Sequence, residues 1–195
     1  MFPVPDTYTQ FKIIALDPGL NNIGVAIFDI EAYPLKIVRI HALTLKEERV
    51  LDTVTLDDDY TPDRTMKRGR MVAGVMKFIR AHDPISVVSE SPFFNRLMPS
   101  SFAVLTEVIN DIFKEILEYN NNIRLSTVEP LLVKHTLGVA GKKGKDVVRE
   151  AMSTRKDILD LLDIELDFLD EHAIDAIGVG VTYFTRRLSL GEPKK

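Results

Sequence analysis

Four residues carry side chains able to hold a divalent cation and stand where regular structure should end or repeat. Asp17 closes the apolar run Ile13-Ile14-Ala15-Leu16, Glu90 closes Ile85-Ser86-Val87-Val88-Ser89, and His172 and Asp175 lie three apart. On a helix that spacing puts the last two on one face. Carboxylate oxygens suit Mg²⁺ or Mn²⁺, and an imidazole nitrogen moves the preference towards Mn²⁺. Two such ions about 4 Å apart polarise a phosphodiester, generate hydroxide from water and stabilise the leaving oxygen. Each residue also has a plainer use. An Asp before Pro-Gly serves turn chemistry, a lone histidine sits on a surface or caps a helix, and only Glu90, ending an apolar strand, is costly unless paired or metal-bound.

The elements that must position these groups follow from hydrophobic period. Lys12–Asp17, Ile23–Ile30 and Lys36–Leu45 read as strands, the first two joined by a turn at Pro18–Asn22. Thr65–His82 is an amphipathic helix stopped by Asp83-Pro84. Ile85–Glu90 is a short buried strand, and Pro92 takes the chain out of the sheet. Ser100 or Ser101 caps a helix to Tyr119 with the stripe Phe102, Leu105, Ile109, Ile112, Phe113 and Ile116. Ile123–Val128 is a fifth strand. Pro130–Leu137, Lys145–Thr154 and Arg155–Leu162 read as short helices, and Asp167–Arg187 as one final helix. The order predicts an α/β fold, a mixed five-stranded sheet flanked by helices on both faces. If the first and fourth strands are parallel neighbours, Asp17 and Glu90 project at one carboxyl edge, where α/β folds place ligands.

At 195 residues and 45% apolar content the chain is expected to form one domain, 1–195. No cysteine is present, which excludes disulfides, thiolate zinc sites and a Cys nucleophile. The expectation is a cytoplasmic protein with no membrane span and no small-molecule organic cofactor. The net charge of −4 argues against nucleic acid until its distribution is read. Residues 47–63 hold seven acids and one base, a local −6 in what reads as a solvated loop. Against the total of −4 that leaves the remainder of the chain at +2, with bases gathered at Lys67-Arg68-Gly69-Arg70, Lys142-Lys143-Gly144-Lys145 and Arg155-Lys156. A phosphate loop, nucleophile elbow or dinucleotide fingerprint does not appear.

Leu16-Asp17-Pro18-Gly19-Leu20-Asn21-Asn22-Ile23-Gly24 resembles the opening D-P-G-x(4)-G block of the RuvC family of Holliday-junction resolvases. Ser89-Glu90-Ser91-Pro92-Phe93-Phe94 resembles their acid-then-phenylalanine block. Lys134-x-Thr136, Gly138 and Lys145-x-Val147 are similar to a family segment bearing two basic residues, and His172-Ala173-Ile174-Asp175-Ala176 to the closing (D/H)-x-x-D-A block. The four blocks run in family order over nearly the whole chain. His172 stands where many members carry Asp, Pro92 precedes the phenylalanine, and the acidic 47–63 segment is a departure.

The resemblance implies a ribonuclease-H-like fold and a homodimer that binds four-way DNA junctions and makes paired nicks with 5′-phosphate ends, using Mg²⁺ or Mn²⁺. It implies Asp17, Glu90, His172 and Asp175 as metal-binding catalytic residues, Lys134 and Lys145 on DNA phosphate with Lys142 and Lys143 as neighbours, and Phe93 against bases at the junction centre. Residue type alone reads Phe93 and Phe94 as core. Two other readings stand beside this one: a ribonuclease-H-like nuclease acting on flaps, branched DNA or RNA·DNA hybrid, and a non-catalytic junction-binding protein.

Overall fold

A computed structural model describes residues 10–46, 63–94, 99–142, 144 and 146–188. The first strand, β1 (Gln10–Asp17), hairpins into β2 (Asn22–Ala32), which pairs antiparallel with β3 (Leu35–Lys46). Helix α1 (Asp63–His82) returns the chain to β4 (Ser86–Glu90), and α2 (Pro99–Tyr119) returns it to β5 (Arg124–Val128). Both β4 and β5 are parallel to β1, giving the order β3-β2-β1-β4-β5. The remaining helices are α3 (Pro130–Thr136), α4 (Val147–Ser153), α5 (Lys156–Leu159) and α6 (Glu171–Tyr183). The mixed five-stranded α/β sheet expected from the sequence is the one observed. Among the described residues no helix is long and apolar enough to cross a membrane.

Alternation along each strand divides the core in two. Ile14, Leu16 and Val87 point to the side packed by Val75 and Ile79 of α1 and Ile112 and Ile116 of α2. Ile13, Ala15 and Val88 point to the other side, where α6 lies with Ala173, Ile177 and Val181 against the sheet. The period of two therefore assigns Asp17 and Glu90 to the α6 side, and Leu16 pairing with Ser89 brings their strand ends together.

Two glycines let α6 lie this close. A Cβ on Gly24 would stand 1.9 Å from the His172 carbonyl oxygen, and one on Gly180 would stand 2.0 Å from the fully buried Phe28 ring. Neither clash has a cheap escape, since one partner is backbone and the other a packed core ring. At the far end of α6 the Tyr183 hydroxyl meets the Ser86 hydroxyl at 3.0 Å. The helix thus runs opposite to β1 and β4 and presents its first turn at their carboxyl ends.

Three expectations need correction. The final helix does not start at Asp167. Leu166–Phe168 forms a 3₁₀ turn, Leu169 is extended, Asp170 caps α6 through a hydrogen bond from the Ala173 N–H, and Phe184–Leu188 ends the chain's last helical segment as a π turn. The Arg155–Leu162 helix stops at Leu159, because residues beyond it serve the edge of β3 instead: Ile40 N–H donates to Leu161 O, and Asp163 N–H to Ile40 O. Those bonds satisfy backbone groups that an edge strand otherwise leaves open. Helix α2 starts at Pro99, a residue suited to a first helical position, so Ser100 and Ser101 lie in its first turn rather than before it. The 47–63 loop lies outside the described residues except Asp63, which begins α1.

Candidate active site

Asp17 ends β1 with only 9% of its surface exposed, and its Oδ2 lies 2.8 Å from His172 Nδ1. An ionised carboxylate only accepts, so the ring Nδ1–H donates, and Nε2 is the nitrogen left for a ligand. Metal-bound histidines commonly use this arrangement, with the second ring nitrogen anchored on a carboxylate. The same bond raises the His172 pKa above its ordinary value.

Glu90 and Asp175 complete the group. Burial pushes the Glu90 carboxyl up to about 8, helped by repulsion from Asp17 and Asp175. Burial likewise pushes Asp175 up to about 7, with Asp17 adding repulsion and the nearby His172 opposing it. Lys134, projecting from the first helix after β5, acts on both acids in the opposite sense, which puts its ammonium within reach of their field. The resemblance implies a DNA-phosphate contact for Lys134, and its charge is felt by both Glu90 and Asp175. Three carboxylates that repel one another at a partly dry edge lack positive charge, and a divalent cation supplies it. The donor set, carboxylate oxygens with one imidazole nitrogen, fits Mg²⁺ or Mn²⁺. Among the described residues no three acid or imidazole groups close around a single point, and Asp17 and His172 are bonded to each other.

The first turn of α6 is fixed from outside the site by residues the sequence reading did not single out. Asp170 accepts from Ala173 N–H and from the Thr44 hydroxyl on β3. Although burial works against it, these bonds hold the Asp170 carboxyl below its ordinary pKa. Arg149 of α4 donates to Leu166 O at 2.9 Å and to Leu169 O at 2.5 Å, clamping the 3₁₀ turn that leads into the cap. An Asp three residues before a helical N–H was the available signal.

Phe93 follows Glu90 out of the sheet and is 71% exposed, so it is not a core residue. Phe94 is exposed too and meets Phe102 edge-on at 5.6 Å. Lys142 is exposed in the loop after α3, while Lys143 and Lys145 lie outside the described residues.

Compared by sequence, the chain matches no family model and no curated protein. Compared by structure, it is similar to Thermus thermophilus RuvC in complex with Holliday junction substrate, at TM-score 0.61 and 18% identity over 91% of this chain and 97% of that one. The yeast mitochondrial Holliday junction resolvase Ydc2 matches at TM-score 0.58 and 14% identity, over 88% of this chain and 76% of that one. The fowlpox virus Holliday junction resolvase matches at 0.52 and 16%, over 91% and 99%. The fold class is therefore the ribonuclease-H-like one. Within it, the chain has the RuvC-type resolvase fold over nine-tenths of its length.

Proposed function

We propose that the chain is a metal-dependent, structure-selective endodeoxyribonuclease that nicks four-way DNA junctions in pairs and leaves 5′-phosphate ends. The observation that carries this reading is that Asp17 bonds to His172 while Glu90 and Asp175 feel the Asp17 charge at the same carboxyl edge of the sheet, on a fold shared with junction resolvases. Asp17, Glu90, His172 and Asp175 would hold Mg²⁺ or Mn²⁺, which when bound supplies an activated water and a counter-charge for the phosphodiester. The chain's own part is to keep that edge dry and acidic enough to attract cations, and to orient His172 through Asp17. Lys134 stands where it can draw a phosphate to the acids and neutralise it.

Exposed Phe93 next to Glu90 suits stacking on bases unpaired at a crossover, worth roughly 1–3 kcal/mol per base. Two cuts in opposing strands call for two sites related by a twofold axis, hence a homodimer on the junction. The test is incubation of the purified chain with labelled four-way junction, three-way junction, flap, duplex and RNA·DNA hybrid, with Mg²⁺, Mn²⁺ or EDTA. Paired, symmetric nicks in the four-way junction that EDTA abolishes are expected. Preference for flap or RNA·DNA hybrid assigns the fold to another nuclease activity, and binding without cutting to a non-catalytic role.

A further inference from the structure

The wall of the molecule opposite Lys134 carries the reverse charge. Residues 156–171 hold seven carboxylates and a single lysine, Lys156. This stretch runs along the β3 edge of the sheet, where Leu161 and Asp163 bond to Ile40, and climbs to the Asp170 cap beside Thr44. Lys134 belongs to the helix that follows β5, at the other edge. Some of the acids are already engaged: Asp157 with Arg155, Asp163 with Arg39 at 2.5 Å and with His41, and Asp170 with Thr44.

Within this acidic strip lies a cavity of about 330 Å³, lined by Ser153, Leu159, Leu162, Glu165, Leu166 and Asp167. Its floor is aliphatic and its rim carries two carboxylates. Next to the rim, Phe168 leaves 78% of its surface in water and Ile164 leaves 38%. The turn presenting Phe168 is held in place by the Arg149 clamp on Leu166 and Leu169, so the ring is displayed from a fixed backbone. An exposed aromatic beside a leucine-lined hollow is the composition of an interface centre, and the surrounding carboxylates decide what meets it. DNA is repelled by such a rim, whereas a basic polypeptide is attracted to it.

We propose that this surface docks a short segment of a partner protein, one in which at least two Lys or Arg side chains flank an aliphatic or aromatic residue. The apolar residue enters the hollow against Leu159, Leu162 and Leu166 and packs on Phe168, while its basic neighbours meet Glu165, Asp167 and exposed Asp160. Because the strip ends at the cap of α6, the partner is held beside the carboxyl edge of the sheet without crossing the Lys134 side. The inference does not rest on the nuclease reading.

The test selects random peptides displayed on phage against the full chain, then measures a synthetic peptide of the consensus by fluorescence anisotropy on wild type, Asp167→Lys and Phe168→Ser. Both positions are exposed, and unchanged melting temperatures verify that the variants fold. A consensus of basic residues around one apolar residue is expected, with affinity lost about tenfold or more in each variant. Absence of a consensus, a consensus without basic residues, wild-type affinity in either variant, or displacement of the peptide by a four-way DNA junction overturns the proposal.

Discussion

Asp17, Glu90 and Asp175 share one partly buried edge, and in the proposed function each contributes charge to a bound cation. Asp17→Asn, Glu90→Gln or Asp175→Asn should lower the nicking rate by several orders of magnitude and leave junction binding nearly intact, measured by single-turnover cleavage and gel shift. The raised values also carry a stability signature. Glu90 and Asp175 titrate near 8 and 7 in the folded chain but near 4.5 and 3.8 otherwise. Between those limits the folded state holds more protons than the unfolded state, so the metal-free protein should lose stability as pH rises from about 4 to about 8. In EDTA the melting temperature should fall by several degrees across that window. Glu90→Gln should flatten the fall, and Mn²⁺ should restore more stability at the alkaline end than at the acid end. Because His172 must shed its proton to bind metal, and Asp17 holds that proton above the ordinary histidine range, Mn²⁺ binding should weaken as pH drops through values above about 6.5. His172→Asp should move this limb and reduce the Mn²⁺ preference; an unchanged limb would remove His172 from the ligand set.

Elements deliver these residues through a few close approaches. Gly24→Ala drives a methyl into the His172 carbonyl, so α6 must lift at its first turn. Cleavage should fall by at least about tenfold, along with several degrees of melting temperature. Arg149→Met offers a milder probe of the same element, freeing Leu166 and Leu169 without a clash. The strand ends were legible in sequence, because apolar runs stop at Asp17 and Glu90 and Pro92 marked the exit from the sheet. The start of α6 was not. Leu166, Leu169, Ala173 and Ile177 keep helical spacing straight across the break, and what interrupts the helix is tertiary, the Arg149 clamp and the Thr44–Asp170 bond. The edge service of residues 161–163 was hidden for the same reason, since a need for backbone partners at β3 leaves no mark on local periodicity.

For the whole molecule, charge sorting matters more than the total of −4. One edge carries Lys134, whose charge reaches the acids, and the other carries carboxylates around Phe168, a sorting that composition alone does not reveal. Residue type misjudged Phe93 in the same way, since aromatics are mostly buried and this one is 71% exposed. Phe93→Ala should therefore cost little melting temperature while reducing junction cleavage and the opening of base pairs at the crossover, followed with a fluorescent base analogue. A drop of many degrees would return Phe93 to a structural role. Sedimentation of the chain with a four-way junction should yield two copies per junction, and a single copy would contradict paired nicking.

The hydrogen bond between Asp17 and His172 joins residues 155 positions apart, one on the first described strand and the other on the last described α-helix. At roughly 5–20 residues per second on a ribosome, the acid is made on the order of ten to thirty seconds before its partner. During that interval the growing polypeptide already has β1 and, later, β4, yet lacks His172, Asp175 and the helix that carries them. The candidate site therefore comes into being only once α6 has been made and lies across Gly24 and Gly180.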